Sequence, residues 1–185
     1  MQKTNRIFFI ASLTASSFVG ASYDESVSGD LSGSLSSPTV ISIDLQNIIT
    51  GTVGNNGNTG ATNGSDADYF SFSLSETQTI AAINVISSSG DDVSFIGYTQ
   101  GLGFSGQTSG DIDGNVFFGA MSGNILPGLS GGPLTGGNYS FWIQETSNLV
   151  QSYSIDFVIS QVPVPAAAWL FGSGLIALAK FRFLL

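Results

Sequence analysis

The sequence predicts an all-β protein: an antiparallel β-sandwich or jelly roll, flanked by an N-terminal signal helix and a C-terminal transmembrane helix. Three observations carry that expectation. Apolar residues between positions 39 and 161 recur in short runs of period two, the mark of strands with one buried face. Clusters of Gly, Ser, Asn and Asp separate those runs, as turns do in all-β folds. Nothing in this span sustains a period of 3.6 over ten residues, and a helical reading would bury glycines inside helices and waste the β-branched residues.

At the front, residues 1–21 read as a secretory signal peptide. Lys3 and Arg6 supply a positive start, residues 7–19 an apolar core, and Val19, Gly20 and Ala21 the small side chains that precede cleavage between Ala21 and Ser22. A retained N-terminal anchor is the alternative, but the apolar run is too short to span comfortably. Residues 22–38 then read as a low-complexity linker, and 39–161 as the β-sandwich domain.

Within that domain the run 152–160 is the clearest strand, with Tyr153, Ile155, Phe157 and Ile159 on one face. Phe70, Phe72 and Leu74 alternate in the same way, as do Tyr139, Phe141 and Ile143, which leaves Trp142 on the opposite side. Weaker strands are expected at 40–45, 79–86, 93–98 and 116–121.

The tail, 162–185, has three parts. Val162, Pro163, Val164 and Pro165 form a stiff extended segment, because each proline fixes its own φ and biases its predecessor away from the α region. An uncharged apolar run follows over 166–179, then Lys180 and Arg182. As a helix the run spans about 21 Å, short of a hydrocarbon core of about 30 Å. Trp169 suits an interface and the two cations can snorkel to headgroups, which favours a membrane span over a buried core helix.

Pro163-Val164-Pro165, the Ala-Ala-Ala-Trp-Leu-Phe-Gly-Ser-Gly-Leu run at 166–175 and the basic end resemble the PEP-CTERM sorting signal of Gram-negative bacteria, with Val164 in place of the name-giving glutamate. The resemblance implies Sec export, an inner-membrane-anchored precursor, processing by an exosortase-like membrane protease, and residence at the surface or in the exopolysaccharide matrix of a biofilm. Asp66-Ala67-Asp68-Tyr69-Phe70-Ser71-Phe72, with Gly137-Asn138-Tyr139-Ser140-Phe141-Trp142-Ile143 and Ser152-Tyr153-Ser154-Ile155 downstream, is weakly similar to the bacterial pre-peptidase C-terminal domain, a jelly-roll accessory module. Related accessory domains can bind calcium.

Charge narrows the function further. The four basic residues all lie at the ends, and the thirteen acidic ones all lie between them. The stretch 22–162 therefore carries −13 with no cation of its own. Nucleic acid is excluded as a partner, since nothing there can neutralise phosphate. No carboxylate in this stretch can form an internal salt bridge, so each must face water, accept hydrogen bonds or bind a cation. Cysteine is absent, so no disulfide or thiolate metal site forms.

Several motifs invite a chemical reading. Gly128-Leu129-Ser130-Gly131-Gly132 fits a serine-hydrolase elbow, but the chain contains no histidine and no lysine outside its ends to act as base. Gly101-Leu102-Gly103-Phe104-Ser105-Gly106 fits a dinucleotide fingerprint with no helix pattern after it. Asp111, Asp113 and Asn115 alternate oxygen ligands around Gly114, the start of a calcium loop that lacks its distal glutamate; solvated turn aspartates are the ordinary alternative. Asp66 with Asp68, and Asp91 with Asp92, are further clusters for a fold to assemble.

These readings converge on an exported, non-catalytic surface or matrix protein that needs no cofactor, with calcium as the one candidate ion. A carbohydrate-binding module using Trp142 is the alternative. A secreted hydrolase with paired carboxylates is the more remote one.

Overall fold

The computed structural model describes residues 21–54, 66–89, 93–147 and 149–161. The expected signal peptide up to Gly20 and the whole of the expected sorting tail, with Val162, Pro163, Val164, Pro165, Trp169, Lys180 and Arg182, lie outside these residues. Among the described residues no helix is long and apolar enough to cross a membrane.

The fold is mostly strand, and it is built on one strand of 22 residues, β4 (Ala67–Ser88). Its first half pairs antiparallel with β8 (Leu134–Gln144), its second half with β9 (Val150–Gln161). The change of partner falls at a register shift between Leu74 and Thr79, where Gln78 Oε1 accepts the Ser75 N–H at 2.8 Å. Such a bulge bends a strand and increases its twist. Gly136 of β8 faces this bend, and a Cβ there would lie 2.6 Å from the Ser75 carbonyl oxygen, so only glycine lets the two backbones approach.

The remaining strands extend the two halves. On the β8 side come β5 (Phe95–Gln100) and then β6 (Gly114–Phe117), while β2 (Thr39–Val40) runs along the first half of β4. On the β9 side come β3 (Gln46–Gly54) and then β1 (Ala21–Asp24), and β7 (Gly123–Asn124) joins the second half of β4. Two single-turn helices complete the described elements, α1 (Glu25–Ser28) and α2 (Leu126–Ser130).

Three expectations are corrected. The sheet is mixed, because β1 lies parallel to β3 and β2 parallel to β4. The stretch 22–38 packs as part of the fold: β1 is a paired strand, Leu31 is buried in the core, and the Ser32 carbonyl accepts the Tyr69 N–H at 2.9 Å. Its small polar residues follow the sheet through hydrogen bonds to backbone, so the composition resembles a linker while the conformation does not. The run 40–45 is strand only at its start, because Asn47 turns the chain by accepting the Asp44 N–H at 2.6 Å and donating to the Asp44 carbonyl at 2.8 Å.

The alternating runs bury their apolar faces as their spacing predicts. Phe70 and Phe72 of β4, Phe141 of β8 and Phe157 of β9 meet in the main core, with Phe141 centred 5.4, 5.1 and 4.9 Å from the other three in that order. Each fully buried phenylalanine contributes about 1.5–3 kcal/mol by leaving water. A second, smaller cluster lies on the other face of β4 and β8. Tyr69 stacks on Trp142 at 5.7 Å, and Phe104 closes over both from the loop 101–113.

Candidate metal centre

Among the acids of the described residues, three converge. Asp24 caps α1 by accepting the Ser26 N–H at 2.9 Å, and this single turn sets Glu25 against β3. Glu25 Oε1 accepts the Leu31 N–H at 3.0 Å and Oε2 the Thr52 N–H at 2.8 Å. Asp30 follows α1, and Asp68 enters from the start of β4. One carboxylate oxygen from each of Glu25, Asp30 and Asp68 lies within 4.8 Å of the other two.

The wall of this cluster is Tyr153 of β9, wholly buried, whose hydroxyl donates to Asp68 Oδ2 at 2.5 Å. Gly51 of β3 pairs with Tyr153, and a Cβ at this position would sit 2.6 Å from the Tyr153 hydroxyl and 2.8 Å from the Glu25 carboxyl. The cluster therefore needs a residue without a side chain at position 51.

The electrostatics are unfavourable as the fold stands. Burial, then the charge of Glu25, pushes the Asp68 carboxyl well above the usual carboxylate range. Burial, then Asp30 and Glu25, raises the neighbouring Asp66 to about 7. Burial also raises Glu25, against the hydrogen bonds from Leu31 and Thr52, and raises Asp30. Tyr153 is pushed up as well, by burial first and then by Asp68, so it remains a protonated donor. No lysine or arginine lies between Arg6 and Lys180 to offset these charges.

Two buried oxygens, Asp68 Oδ1 and Asp30 Oδ1, have no hydrogen-bond partner. Buried carboxylate oxygens are rarely left so, and an orphan costs about 1–3 kcal/mol or more. A cation coordinated by both would remove the penalty and the mutual repulsion together. The donors are all oxygen, the set preferred by hard cations such as calcium over softer transition metals. A cleft of about 500 Å³ lined by Asp24, Glu25, Thr50 and Ser152, among others, gives Glu25 an open side from which an ion can enter.

Of the acids singled out in the sequence, Asp68 belongs to the cluster with Asp66 beside it, Asp91 and Asp92 lie outside the described residues, and the group at Asp111, Asp113 and Asn115 sits elsewhere. Asp111 accepts from the Ser105 hydroxyl at 2.8 Å and from the Thr108 hydroxyl and N–H at 2.6 and 3.0 Å, and these donors hold it below the usual range. Asp113 accepts the Gln100 N–H at 2.7 Å, and Asn115 lies on β6 opposite Gly97. Both aspartates are thus engaged in fastening the loop 101–113. Trp142 is on the face opposite the main core, as its position in the alternation requires, but Tyr69 and Phe104 cover it. The Ser130 hydroxyl donates to the Leu126 and Gly132 carbonyls at 3.2 and 2.5 Å, tying off the end of α2. Ala21 and Ser22 open β1, while Val19 lies outside the described residues.

Glu25 and Asp30 escaped the sequence reading because they fall in the stretch taken for a linker. The local signal was available: an aspartate two residues before a serine, then an isolated leucine at position 31, marks a capped turn with an anchor. Their convergence with Asp68 depends on the pairing of β1 with β3, which no local pattern reveals. No protein-family model, curated protein or solved structure matches the chain.

Proposed function

We propose that this chain is an exported, non-catalytic surface or extracellular-matrix protein whose acidic β-sandwich binds a divalent cation, calcium foremost, at Glu25, Asp30 and Asp68. The observation that carries the reading is the pair of orphaned oxygens in a carboxylate cluster with no lysine or arginine among the described residues to neutralise it. The ion would tie the N-terminal segment to β4, and the other exposed acids would be free to share further calcium ions with anionic matrix polysaccharide.

The sandwich reading rests on the two halves of β4. Phe157, from the β9 side, packs edge-on against Phe70 and Phe72 at 5.7 and 5.4 Å, as facing layers do. The signal-like front and the PEP-CTERM-like tail support Sec export, an inner-membrane-anchored precursor and sorting by an exosortase-like protease. The non-catalytic reading rests on the lack of histidine and on the self-satisfied Ser130. The paired-carboxylate alternative gains nothing from the cluster: Glu25, Asp30 and Asp68 crowd within 4.8 Å of one another, whereas glycoside hydrolysis wants two carboxyls about 5–9 Å apart across a sugar.

Two measurements test the proposal. Isothermal titration of the full chain with calcium is expected to show binding that Asp68→Asn abolishes, and the absence of heat would refute the cation site. Fractionation of the native host is expected to place the protein at the surface or in the matrix, with a variant lacking 162–185 lost from that location. An unchanged distribution of the truncated variant would refute the sorting role.

A further inference from the structure

A second site lies on the outer face of β8, β5 and β6, and shares no residue with the carboxylate cluster. Strand register sets two rows across these strands, Trp142–Gly97–Asn115 and Gln144–Phe95–Phe117. All six positions share one face, since Phe141, Ile143 and Ile96 point into the core from the other. The loop 101–113 covers the Trp142 end and stops short of Phe117, which is 55 % exposed. What remains is a cleft of about 390 Å³, with Phe95 edge-on to Trp142 at 4.8 Å and Thr108 on its loop side.

The lining is distinctive in a chain this acidic. None of its described residues is charged, and amide and hydroxyl side chains stand beside aromatic rings. A surface meant only for apolar packing would not be lined by Asn115, Gln144 and Thr108. No lysine or arginine lines the cleft to pair with an anionic group, and no carboxylate lines it to hold a metal ion. Aromatic faces with uncharged donors and acceptors match a ligand that has both C–H patches and hydroxyls.

We infer that this cleft binds an uncharged saccharide, with Phe95 and Phe117 against the sugar ring and Asn115 and Gln144 bonded to its hydroxyls. This extends the matrix reading by naming a neutral glycan as a direct ligand, and it does not depend on the cation site.

The test uses the full chain carrying Trp169→Phe, which leaves Trp142 as its only tryptophan, in a sugar-free detergent. Its fluorescence is titrated with neutral gluco-, manno- and N-acetylglucosamine oligosaccharides, and with oligogalacturonate as an acidic control. A saturable change with at least one neutral oligosaccharide is expected, weakened about tenfold or more in Asn115→Ala/Gln144→Ala. Asn115 is exposed on β6 and Gln144 half-buried on the outer face of β8, both outside the core, and an unchanged circular dichroism spectrum and Tm check that the double variant keeps its fold. Binding must also survive Asp68→Asn, which separates this site from the cation site. The inference is overturned by no saturable change up to about 10 mM sugar, by binding of the acidic control alone, or by affinity that persists in the double variant. A Trp142 signal that changes with protein concentration and no sugar present would assign the cleft to a second copy, and also overturns it.

Discussion

Asp68→Asn tests the cation site most directly, because asparagine keeps the shape of the side chain and its oxygen can still accept from Tyr153. With one oxygen each within 4.8 Å, two ionised carboxylates repel by about 3 kcal/mol at an effective dielectric near 20, and by less where water reaches Asp30. Three such pairs together approach the whole stability of a domain, about 5–15 kcal/mol, so taking up a proton or an ion relieves the cluster. A cation that binds only the folded state adds about 2.7 kcal/mol at a hundredfold excess over its Kd, equivalent to a Tm gain of about 5–10 °C for a domain of this size. Thermal melts at pH 8 with calcium and with EGTA are therefore expected to differ by that amount in the wild type. In Asp68→Asn the difference should shrink to under about 2 °C, with the EGTA melt at or above that of the wild type, because two of the three repulsions are gone. Asp111→Asn should retain the full calcium gain. Equal gains in wild type and Asp68→Asn, or a wild-type Tm indifferent to calcium, would refute the reasoning.

Further consequences can be checked in the same preparations. In chelator, stability should fall as pH rises from the ordinary carboxyl range near 4 through about 7, because Asp66, Asp68, Glu25 and Asp30 all hold their protons more tightly folded than unfolded, with Tyr153 facing them still protonated. Urea midpoints across pH 4–9 read this slope, and saturating calcium should flatten it. Gly51→Ala drives a methyl group towards Tyr153 and Glu25, so calcium affinity by titration should drop more than the melting temperature does in EGTA. Phe141→Ala, which removes the ring shared by Phe70, Phe72 and Phe157, should cost about 3–5 kcal/mol in urea unfolding.

What the sequence made legible follows from how each strand is buried. The inward faces of β4, β8 and β9 could be read because Phe70, Phe72, Phe141, Tyr153, Ile155 and Phe157 are large, apolar and spaced by two. β3 could not, since its inward positions are Asn47, Ile49, Gly51 and Val53, and two of the four carry no apolar side chain. Those two residues have other duties: Asn47 shapes a turn, and Gly51 makes room for the carboxylate cluster. The position of Trp142 was legible, but its cover was not, because Phe104 reaches it from a loop that the glycine pattern marks only as irregular. The fusion of 69–74 and 79–86 into one strand was hidden by Ser75, Glu76 and Thr77, which interrupt the apolar alternation and lie at a bulge.

The shared strand β4 also governs how the molecule comes apart. Since one continuous backbone supplies ladder partners to β8 along its first half and to β9 along its second, the opening of one side is coupled to the other through the strand they share. Amide deuteration should accordingly reach Phe72 and Ile83 at nearly the same slow rate, through whole-molecule opening, whereas the β6 rim exchanges early. For a protein read as living outside the cell without disulfides, such all-or-none opening would deny proteases a partly undone intermediate to attack.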